Sequence, residues 1–571
     1  MEKEISKEVI KFPSVTINKI KFNDGTEIPI KKDDIIVFVG ANNVGKSRAL
    51  KDIRNDLLEN SKKKIVINEI GYEATNFTDE LMEKYFEEHF SMNSYGDYDV
   101  PINDNYSQCY SNHNFNNVAD QKSIFYKVLF SFLSTESRLN MTCPISYSHI
   151  QDKFNFHIMK KLETNKQSIC RLNKILINCF NKAIDISEDE IQNSVVKLYK
   201  FGSENDIDKT INSNTREAKQ KLKELENLNE QGDGIRSAVA ILSSLIANDH
   251  SLYLIDEPET FLHPPQARLL GNNIVELSEN KQCFISTHNI DLIRGILEKK
   301  SSRVKIIKIN RIGNNNTFSH LDNESLIKIA NDKNLKYSNI LNGLFYHQVV
   351  LCENESDCKF YSAVLESLDS NLYQNTLFCA VGGKDQFKIV IPLLKKADID
   401  YLIIADLDLI NDKQKLKALL NAIDSGVYDN IKDSHNVFLD LFQAKMYSGR
   451  KKQSVIKEEI NKLFTDDEYL LSETANKIKD ILKDISNLKI LKTSGKGCLP
   501  SGPCVKNFNN VIKYLNSYNI YVVECGEIER FIIEVGAHSD AWVESVFEKF
   551  PTLEEPEYDS VKLFLKKVFK I

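Results

Sequence analysis

The amino-acid sequence predicts an α/β protein of two successive units, each built on a parallel β-sheet. The chain has 571 residues, too many for one core, since domains average roughly 150 residues. Near its start, an apolar strand, a glycine-rich loop and a helix follow one another in IIVFVGANNVGKSRALKDI. Strands and helices alternate again from SLYLIDEPE, and once more from about residue 347. This alternation is the order that a parallel sheet requires.

The interpretation of the remaining segments rests on composition. Asn- and Tyr-rich sequence from about 75 to 130 indicates a loop-like insertion, and charged, helix-favouring sequence from 155 to 230 indicates a helical arm. We therefore expect a first domain over 1–310 with a helical or irregular insertion at about 60–230. A linker is expected at 311–345. The second domain is expected at 346–571, with a helical insertion at about 411–487.

Charge and cysteine usage limit the function classes. With 74 basic and 81 acidic residues the net charge is −7, so contact with nucleic acid must be local, or assisted by a metal or by dimerisation. Eleven cysteines without a C-x-x-C pair argue against a disulfide framework and a structural zinc site. The first thirty residues resemble strands rather than a signal peptide, and no run reaches about 18 apolar residues. A cytoplasmic protein without membrane contact is expected.

The first motif is a phosphate-binding loop. GANNVGKS matches G-x-x-x-x-G-K-S between a strand and a helix, where backbone N–H groups surround a phosphate, the lysine bridges the terminal phosphates and the serine binds Mg²⁺. The sequence thus predicts an ATP site. Its candidate nucleotide-binding residues are Gly40, Asn43, Gly45, Lys46 and Ser47.

Acidic residues follow the later strand LIDEPE. We assign Asp256 to the Mg²⁺ shell and Glu257 to the general base that activates water. In THNIDLI, His288 follows the next strand, from which it could sense the γ-phosphate. Glu136 and Arg138 in SFLSTESRL fit either a phosphate- or metal-sensing lobe or a surface salt bridge.

This order of motifs resembles the ABC-type ATPase head of the RecF, Rad50 and SMC-like branch. The resemblance implies that two heads sandwich ATP, with a signature loop completing the site in trans, and hence a homodimer or higher homo-oligomer. The matching stretch is QGDGIRSAVAILSSL, whose Ser-Gly-Gly core is not intact. Its candidate nucleotide-binding residues are Gly232, Gly234 and Ser237.

A second group of acids predicts a separate metal site. On the strand LIIADLDL, Asp406 and Asp408 should project to one side, where their repulsion favours a divalent cation between them. Glu353 follows another strand and Asp357 begins the next helix, so Glu353 should converge on the same sheet edge. We expect Glu353 and Asp357 to hold one or two Mg²⁺ or Mn²⁺ ions together with the two aspartates. A third strand ends at Gly382-Gly383-Lys384, where a turn and a lysine could hold a phosphodiester.

These acids resemble those of the TOPRIM domain of topoisomerases, primases and some nucleases, with Asn354 where that family usually has glycine. A TOPRIM unit after an ABC-type head resembles the OLD (overcoming lysogenization defect) family. That family includes the Gabija nuclease subunit, and retron-associated effectors and the PARIS ATPase/TOPRIM proteins are similar. The resemblance implies further acids and a lysine after the Asp-x-Asp strand. Glu527 and Glu529 are available, with Glu529 favoured as a metal ligand, and Lys496 is the candidate phosphate or leaving-group contact.

The expected function is an ATP-regulated endonuclease that uses Mg²⁺ or Mn²⁺ and cleaves nucleic acid. DNA is the favoured substrate, and the resemblance implies a role in antiphage defence, with a companion defence protein or a retron nucleic acid as further partners. Two alternatives stay open at this point. One is a TOPRIM ribonuclease that cleaves transfer RNA, and the other is an ATP-dependent clamp or sensor that binds nucleic acid without cutting it.

Overall fold

The computed structural model describes residues 13–58, 64–89, 97–103, 106–111, 129–148, 157–191, 194–205, 207, 216–313, 315–332, 335, 338–448, 453–464, 471–483, 487–535 and 541–571. Two compact units divide the chain, Met1–Asn331 and Asp332–Ile571. Among the described residues, every helix is too short or too polar to cross a membrane.

The described part of the first unit contains both strands and helices. Its strands are β1 (Ser14–Phe22), β2 (Glu27–Pro29), β3 (Ile35–Val39), β4 (Ile67–Thr75), β5 (Asp97–Asn103), β6 (Tyr106–Ser111), β7 (Phe130–Leu133), β8 (Ile145–Ser148), β9 (Ala183–Ile191), β10 (Ser194–Gly202), β11 (Glu226–Asn227), β12 (Leu252–Asp256), β13 (Gln282–Ser286), β14 (Val304–Ile312) and β15 (Asn315–His320). Its helices are α1 (Lys46–Leu57), α2 (Asp79–His89), α3 (Thr135–Asn140), α4 (Ile158–Thr164), α5 (Lys166–Phe180), α6 (Arg216–Glu224), α7 (Asp233–Ala247), α8 (Pro264–Leu277), α9 (Ile290–Glu298) and α10 (Asn323–Asn331).

A six-stranded sheet forms the centre of the first unit, in the order β15-β14-β3-β13-β12-β7. All neighbours pair in parallel except β14 and β15, which pair antiparallel. Every residue of β3 and β13 is buried, as expected for strands covered on both faces. The parallel arrangement brings the carboxyl ends of β3, β12 and β13 to one edge, where the predicted ATP-site residues follow.

Within the described parts of 60–230, strands accompany the helices, whereas we expected a helical or irregular insertion. β4 pairs with β1 beside the main sheet, and β7 is an edge strand of the main sheet itself. In the expected helical arm, β9 and β10 form an antiparallel pair to which β8 and β11 are joined through β10. Lys197 and Lys200 of β10 are themselves buried, on opposite faces of this sheet, so the charge of the segment did not indicate an exposed helical arm.

The expected linker at 311–345 is structured at its start. β15 completes the main sheet by pairing with β14, and α10 contacts α9 in the same unit. The boundary between the compact units therefore falls after Asn331.

The second unit is built on four parallel strands in the order β17-β16-β18-β19. The strands are β16 (Gln348–Cys352), β17 (Thr376–Ala380), β18 (Tyr401–Asp406) and β19 (Ile520–Val523). The helices are α11 (Glu355–Leu368), α12 (Ser370–Gln374), α13 (Phe387–Lys396), α14 (Lys413–Ile423), α15 (Lys432–Ser448), α16 (Gln453–Asn461), α17 (Ser472–Lys483), α18 (Asn487–Ser494), α19 (Pro503–Ser517), α20 (Trp542–Lys549) and α21 (Asp559–Phe569). Within the part of 411–487 that the structure describes, the regular elements are helical.

Candidate functional site

The phosphate-binding loop connects β3 to α1. Gly40 and Gly45 have φ angles of 144° and 107°, which side chains rarely adopt. A Cβ at Gly40 would also lie 2.3 Å from the Ile309 carbonyl oxygen, so this position requires glycine. Asn43 has a φ of 64°, a value that asparagine tolerates better than most residues. The loop therefore has the tight backbone that the motif predicts.

The Lys46 side chain is buried within the phosphate-binding loop. Its Nζ donates to the Gly40 and Ala41 carbonyl oxygens at 2.9 and 2.8 Å. Burial lowers the pKa of Lys46, although the charges of Glu257, Glu259 and Asp256 raise it. The loop lysine and the acids after β12 thus lie in one electrostatic environment, next to the half-buried Ser47 at the start of α1.

The acids after β12 take distinct positions. Asp256 ends the strand opposite Ser286, whose hydroxyl donates to its Oδ1. Glu257 leaves the strand with a φ of 47°, and its N–H donates to the Ser286 carbonyl oxygen at 3.0 Å. His288 Nδ1 lies 3.4 Å from Glu257 Oε1 and 3.6 Å from Glu259 Oε1. The predicted metal ligand, base and histidine are therefore neighbours.

Glu259 belongs to this site, although we did not predict it. It is 4% exposed, and Thr287 Oγ1 donates to its Oε1 at 2.6 Å. Burial raises the pKa of Glu259, while the hydrogen bond from Thr287 lowers it. The only signal in the sequence was its place two residues after Glu257 in LIDEPE.

Arg138 is fully buried, which excludes the surface salt bridge with Glu136. Its guanidinium donates to the Asp256 and Glu257 carbonyl oxygens at 2.6 and 3.0 Å. Its Nε donates to Ser237 Oγ at 2.7 Å. Arg138 therefore fixes the chain at the end of β12 rather than sensing phosphate from a lobe.

The signature-like stretch at the start of α7 faces mainly inward. Ser237 is fully buried and bonded to Arg138, so its hydroxyl does not face a second head. Gly234 is buried, and a Cβ there would lie 2.4 Å from the Phe261 carbonyl oxygen. Gly232 alone of the three predicted residues is exposed. The prediction of nucleotide contact from Gly234 and Ser237 thus conflicts with their burial.

The second site lies at the carboxyl edge of the four-stranded sheet. One ligand oxygen from each of Glu353, Asp406 and Asp408 lies within 4.8 Å of the others. Glu353 follows β16 and Asp406 ends β18, as predicted. Asp408 is not on the strand, because a 3₁₀ turn begins at Leu407, and this turn rather than strand alternation directs Asp408 to the cluster.

The three acids suit a hard divalent cation. Glu353 and Asp408 are 8% and 4% exposed, and Asp408 Oδ1 is buried without a hydrogen-bond partner among the described residues. Burial and then the charge of Asp406 raise the pKa of Glu353 to about 7. Burial also raises the pKa of Asp406. Clustered carboxylate oxygens with an unsatisfied buried atom are a donor set that fits Mg²⁺ or Mn²⁺.

Two lysines partly neutralise the cluster. Lys384 Nζ donates to Asp408 Oδ2, and Lys492 Nζ lies 3.0 Å from Asp406 Oδ2 and 3.8 Å from Asp408 Oδ2. Lys492 Nζ also lies 4.0 Å from Glu527 Oε2. Burial alone would lower the pKa of Lys492, but Asp406 and Asp408 raise it above its ordinary value.

The predicted lysine, Lys496, is directed elsewhere. Its Nζ lies 3.3 Å from Glu524 Oε2, and its ammonium lies over the Phe508 ring. Lys492, about one helical turn earlier, lies among the acids instead, whereas we predicted Lys496 as the phosphate or leaving-group contact. Lys492 reaches the acids because α18 packs against the 3₁₀ turn that carries Asp408.

Asp357 and Glu529 lie near the three acids but outside their group. Asp357 Oδ2 accepts from the Asn354 N–H at 3.1 Å, which caps the start of α11. Burial and then Asp406, with Glu529 as a further cause, raise the pKa of Asp357 to about 7. Asn354 itself has a φ of −132°, so its turn does not need the glycine usual in the TOPRIM family.

The Gly-Gly turn supports the acids. Gly382 and Gly383 have φ angles of 78° and 106°, and their N–H groups donate to the Glu353 carbonyl oxygen at 3.1 and 3.0 Å. These N–H groups are therefore used within the chain, whereas we expected the turn to hold a phosphodiester. With Lys384 bound to Asp408, the turn joins the ends of β16, β17 and β18.

Comparisons with known proteins agree with this geometry. A family described as "Overcoming lysogenization defect protein-like, TOPRIM domain" matches residues 344–408. The second unit contains an OLD-like TOPRIM domain. A family described as "AAA domain, putative AbiEii toxin, Type IV TA system" matches residues 164–294, which include Asp256, Glu257 and His288. The expected combination of a P-loop ATPase domain and an OLD-like TOPRIM domain is confirmed.

Similarity to individual proteins is partial. Endonuclease GajA from Bacillus cereus (strain VD045) is 26% identical over 164 residues, which are 29% of this chain and 27% of GajA. An SMC head bound to the C-winged helix domain of ScpA has a TM-score of 0.34 at 13% identity, over 55% of this chain and 99% of that one. The SMC head domain from Thermotoga maritima has a TM-score of 0.28 at 11% identity, over 55% of this chain and 100% of that one.

Proposed function

We propose that this protein is an ATP-regulated, divalent-metal-dependent endonuclease that cleaves nucleic acid, with DNA as the favoured substrate. The observation that carries the proposal is the buried group of Glu353, Asp406 and Asp408 at the carboxyl edge of an OLD-like TOPRIM domain. The partial likeness to the endonuclease GajA supports the same class of reaction.

The three acids would hold Mg²⁺ or Mn²⁺ through carboxylate oxygens. A bound divalent cation supplies a more acidic water and neutralises the charge that develops on a phosphodiester during in-line displacement. Lys492 and Lys384 hold the carboxylates in place and would offer positive charge to the phosphate oxygens of the substrate. Asp357 and Glu529 add negative charge beside Asp406, and their role as further ligands stays a prediction.

ATP would bind at the loop around Lys46 and be hydrolysed with Glu257 as the base. Asp256, bonded to Ser286, would hold the cation, and His288 beside Glu257 would sense the γ-phosphate. We further propose that ATP brings two first units together, with the exposed Gly232 in their contact. The nucleotide bound to the first unit would then determine when the TOPRIM site cleaves. The biological role that we propose is antiphage defence.

A pair of matched variants tests this division of labour. Asp406→Asn removes one charge from the metal group, and we expect it to abolish cleavage but leave ATP hydrolysis within about twofold of wild type. Glu257→Gln should bind ATP, lose turnover by roughly 10²-fold or more, and sediment as a dimer with ATP bound. The measurements are plasmid, single-stranded DNA and transfer RNA cleavage with Mg²⁺ or Mn²⁺, ATP hydrolysis and analytical ultracentrifugation.

Asp385→Asn is the control, because Asp385 is exposed and paired with Lys415 outside the metal group. It should leave both activities unchanged. Equal loss of cleavage and ATP hydrolysis in Asp406→Asn would contradict the assignment of the acids. Binding without cleavage of any substrate by the wild type would favour the clamp, and cleavage of transfer RNA alone would favour the ribonuclease.

A further inference from the structure

Two adjoining cavities are lined in part by the residues that follow β19, the strand that pairs with β18 and its Asp406. Their volumes are about 640 and 490 Å³, and they share Glu524, Cys525 and Arg530. Volumes of about 300–1,000 Å³ are typical of ligand sites. We call the pair the β19 cavity. It is not part of the Glu353, Asp406 and Asp408 group, and nothing in the proposed chemistry uses it.

Backbone pairing links the chain that lines the β19 cavity to the chain that carries Asp406 and Asp408. The last residue of β19, Val523, pairs with Asp406, and the Leu407 N–H donates to the Gly526 carbonyl oxygen at 2.9 Å. Cys525 lines both cavities. Burial raises the pKa of its thiol, the charge of Asp406 raises it further, and the charge of Arg530 lowers it. Cys525 in the cavity wall directly precedes Gly526, which is bonded to the turn that carries Asp408.

The charge of the cavity suits a polyanion. Lys496, Arg530, Lys566 and Lys567 line it, against one side-chain carboxylate, that of Glu524. Glu524 is bonded to Lys567 and Lys496 at 2.8 and 3.3 Å, which leaves two further cations. Arg530 Nε is buried without a hydrogen-bond partner among the described residues. In a chain of net charge −7 this is a local basic site.

The walls of the cavity suit a flat apolar ring. Phe531 and Phe564 are half-buried, with ring centroids 5.6 Å apart. Leu563 and Ile571 line the same cavity with 71% and 52% exposure. Aromatic side chains beside guanidinium and ammonium groups are the combination that binds unpaired bases and their phosphates.

We propose that the β19 cavity binds an unpaired nucleotide of the nucleic-acid strand that is cut. Arg530 and Lys566 contact its phosphate, and Phe564 with Phe531 contacts its base. The inference rests on the proposed nuclease function and deepens it: the substrate is single-stranded, or locally unpaired, at this position. Duplex DNA without a distortion presents no exposed base face to the cavity.

Binding to fluorescein-labelled single-stranded oligonucleotides tests the proposal, in the full-length Asp406→Asn protein so that cleavage does not interfere. We expect the single strand to bind at least about tenfold more tightly than the matched duplex. Added Arg530→Gln should weaken single-strand binding about tenfold and reduce the salt slope by about 0.7. Added Phe564→Leu should weaken it about fivefold without changing the slope.

Lys570→Gln is the matched control, because Lys570 is an exposed cation just after α21 that does not line the cavity. A 2-aminopurine base in the oligonucleotide should lose fluorescence on binding, and Phe564→Leu should restore it. Thermal unfolding and ATP hydrolysis establish that each variant is folded.

Equal binding of single strand and duplex, unaffected by Arg530→Gln and Phe564→Leu, would overturn the inference. If wild type still cleaves plasmid in that case, the proposed function stands without it. Competition by a mononucleotide as strong as by the oligonucleotide would also overturn it, since the cavity would then be a small-molecule site. Absence of any nucleic-acid binding would overturn both proposals.

Discussion

Replacing Glu353 by glutamine should make the metal-free protein more stable while abolishing cleavage. The pKa of Glu353 rises from 4.5 to about 7, because the side chain is buried beside Asp406. Since one pKa unit is worth about 1.36 kcal/mol, the ionised Glu353 costs ~3 kcal/mol at pH 8. A raised pKa in the folded state means that stability falls as pH rises from about 4.5 to about 7. At pH 5 the cost is therefore less than ~1 kcal/mol.

Glu353→Gln keeps the shape and removes this cost. Thermal unfolding of the full chain in EDTA should show a midpoint about 6 °C higher than wild type at pH 8, and little difference at pH 5. Glu355→Gln is the control, since Glu355 is an exposed carboxylate in the first turn of α11. Removal of its charge should not raise the unfolding midpoint at either pH. An unchanged midpoint at pH 8, or an equal gain at both pH values, would refute the argument from burial. Mn²⁺ should raise the midpoint of wild type but not of Glu353→Gln.

Two further variants test Lys492 and Arg138, whose contacts in the structure the sequence did not predict. Lys492→Gln should bind Mn²⁺ about fivefold or more tightly without nucleic acid, because a cation is removed from beside Asp406, yet cleave more slowly. Calorimetric titration that shows unchanged or weaker Mn²⁺ binding would contradict this. Arg138→Met should destabilise the first unit by about 3 kcal/mol, because it leaves the Asp256 and Glu257 carbonyl oxygens without donors. Chemical denaturation measures this, and a loss below about 1 kcal/mol would mean that these bonds are replaced by water.

The motifs that the sequence predicted well are local or follow from the parallel sheet. GANNVGKS carries its phosphate-binding groups within eight consecutive residues, so the loop and Lys46 could be predicted without knowledge of distant packing. Glu353 and Asp406 could be paired because the ends of parallel strands converge. Asp408 reached the same site through a 3₁₀ turn that the alternation of a strand did not predict.

The residues that were missed depend on contacts between distant segments. Lys492 and Lys496 lie one helical turn apart in LKTSGK, and only the packing of α18 against the Leu407–Asn411 turn decides which of them meets Asp406. Arg138 lies in a short polar helix that looks exposed by composition, yet its partners are about 100 residues further along the chain. The β9–β10 pair likewise forms where charged composition favoured a helix, because strand pairing and the burial of Lys197 and Lys200 within the sheet outweigh local propensity.

The lysines at the TOPRIM acids have a consequence for how this protein matures. Lys384 and Lys492 supply positive charge to Asp406 and Asp408 within the chain itself. The second unit can therefore fold with these acids close together before a metal ion binds. Assembly is thereby separated from metal supply, in contrast to domains that remain unfolded until their ion binds.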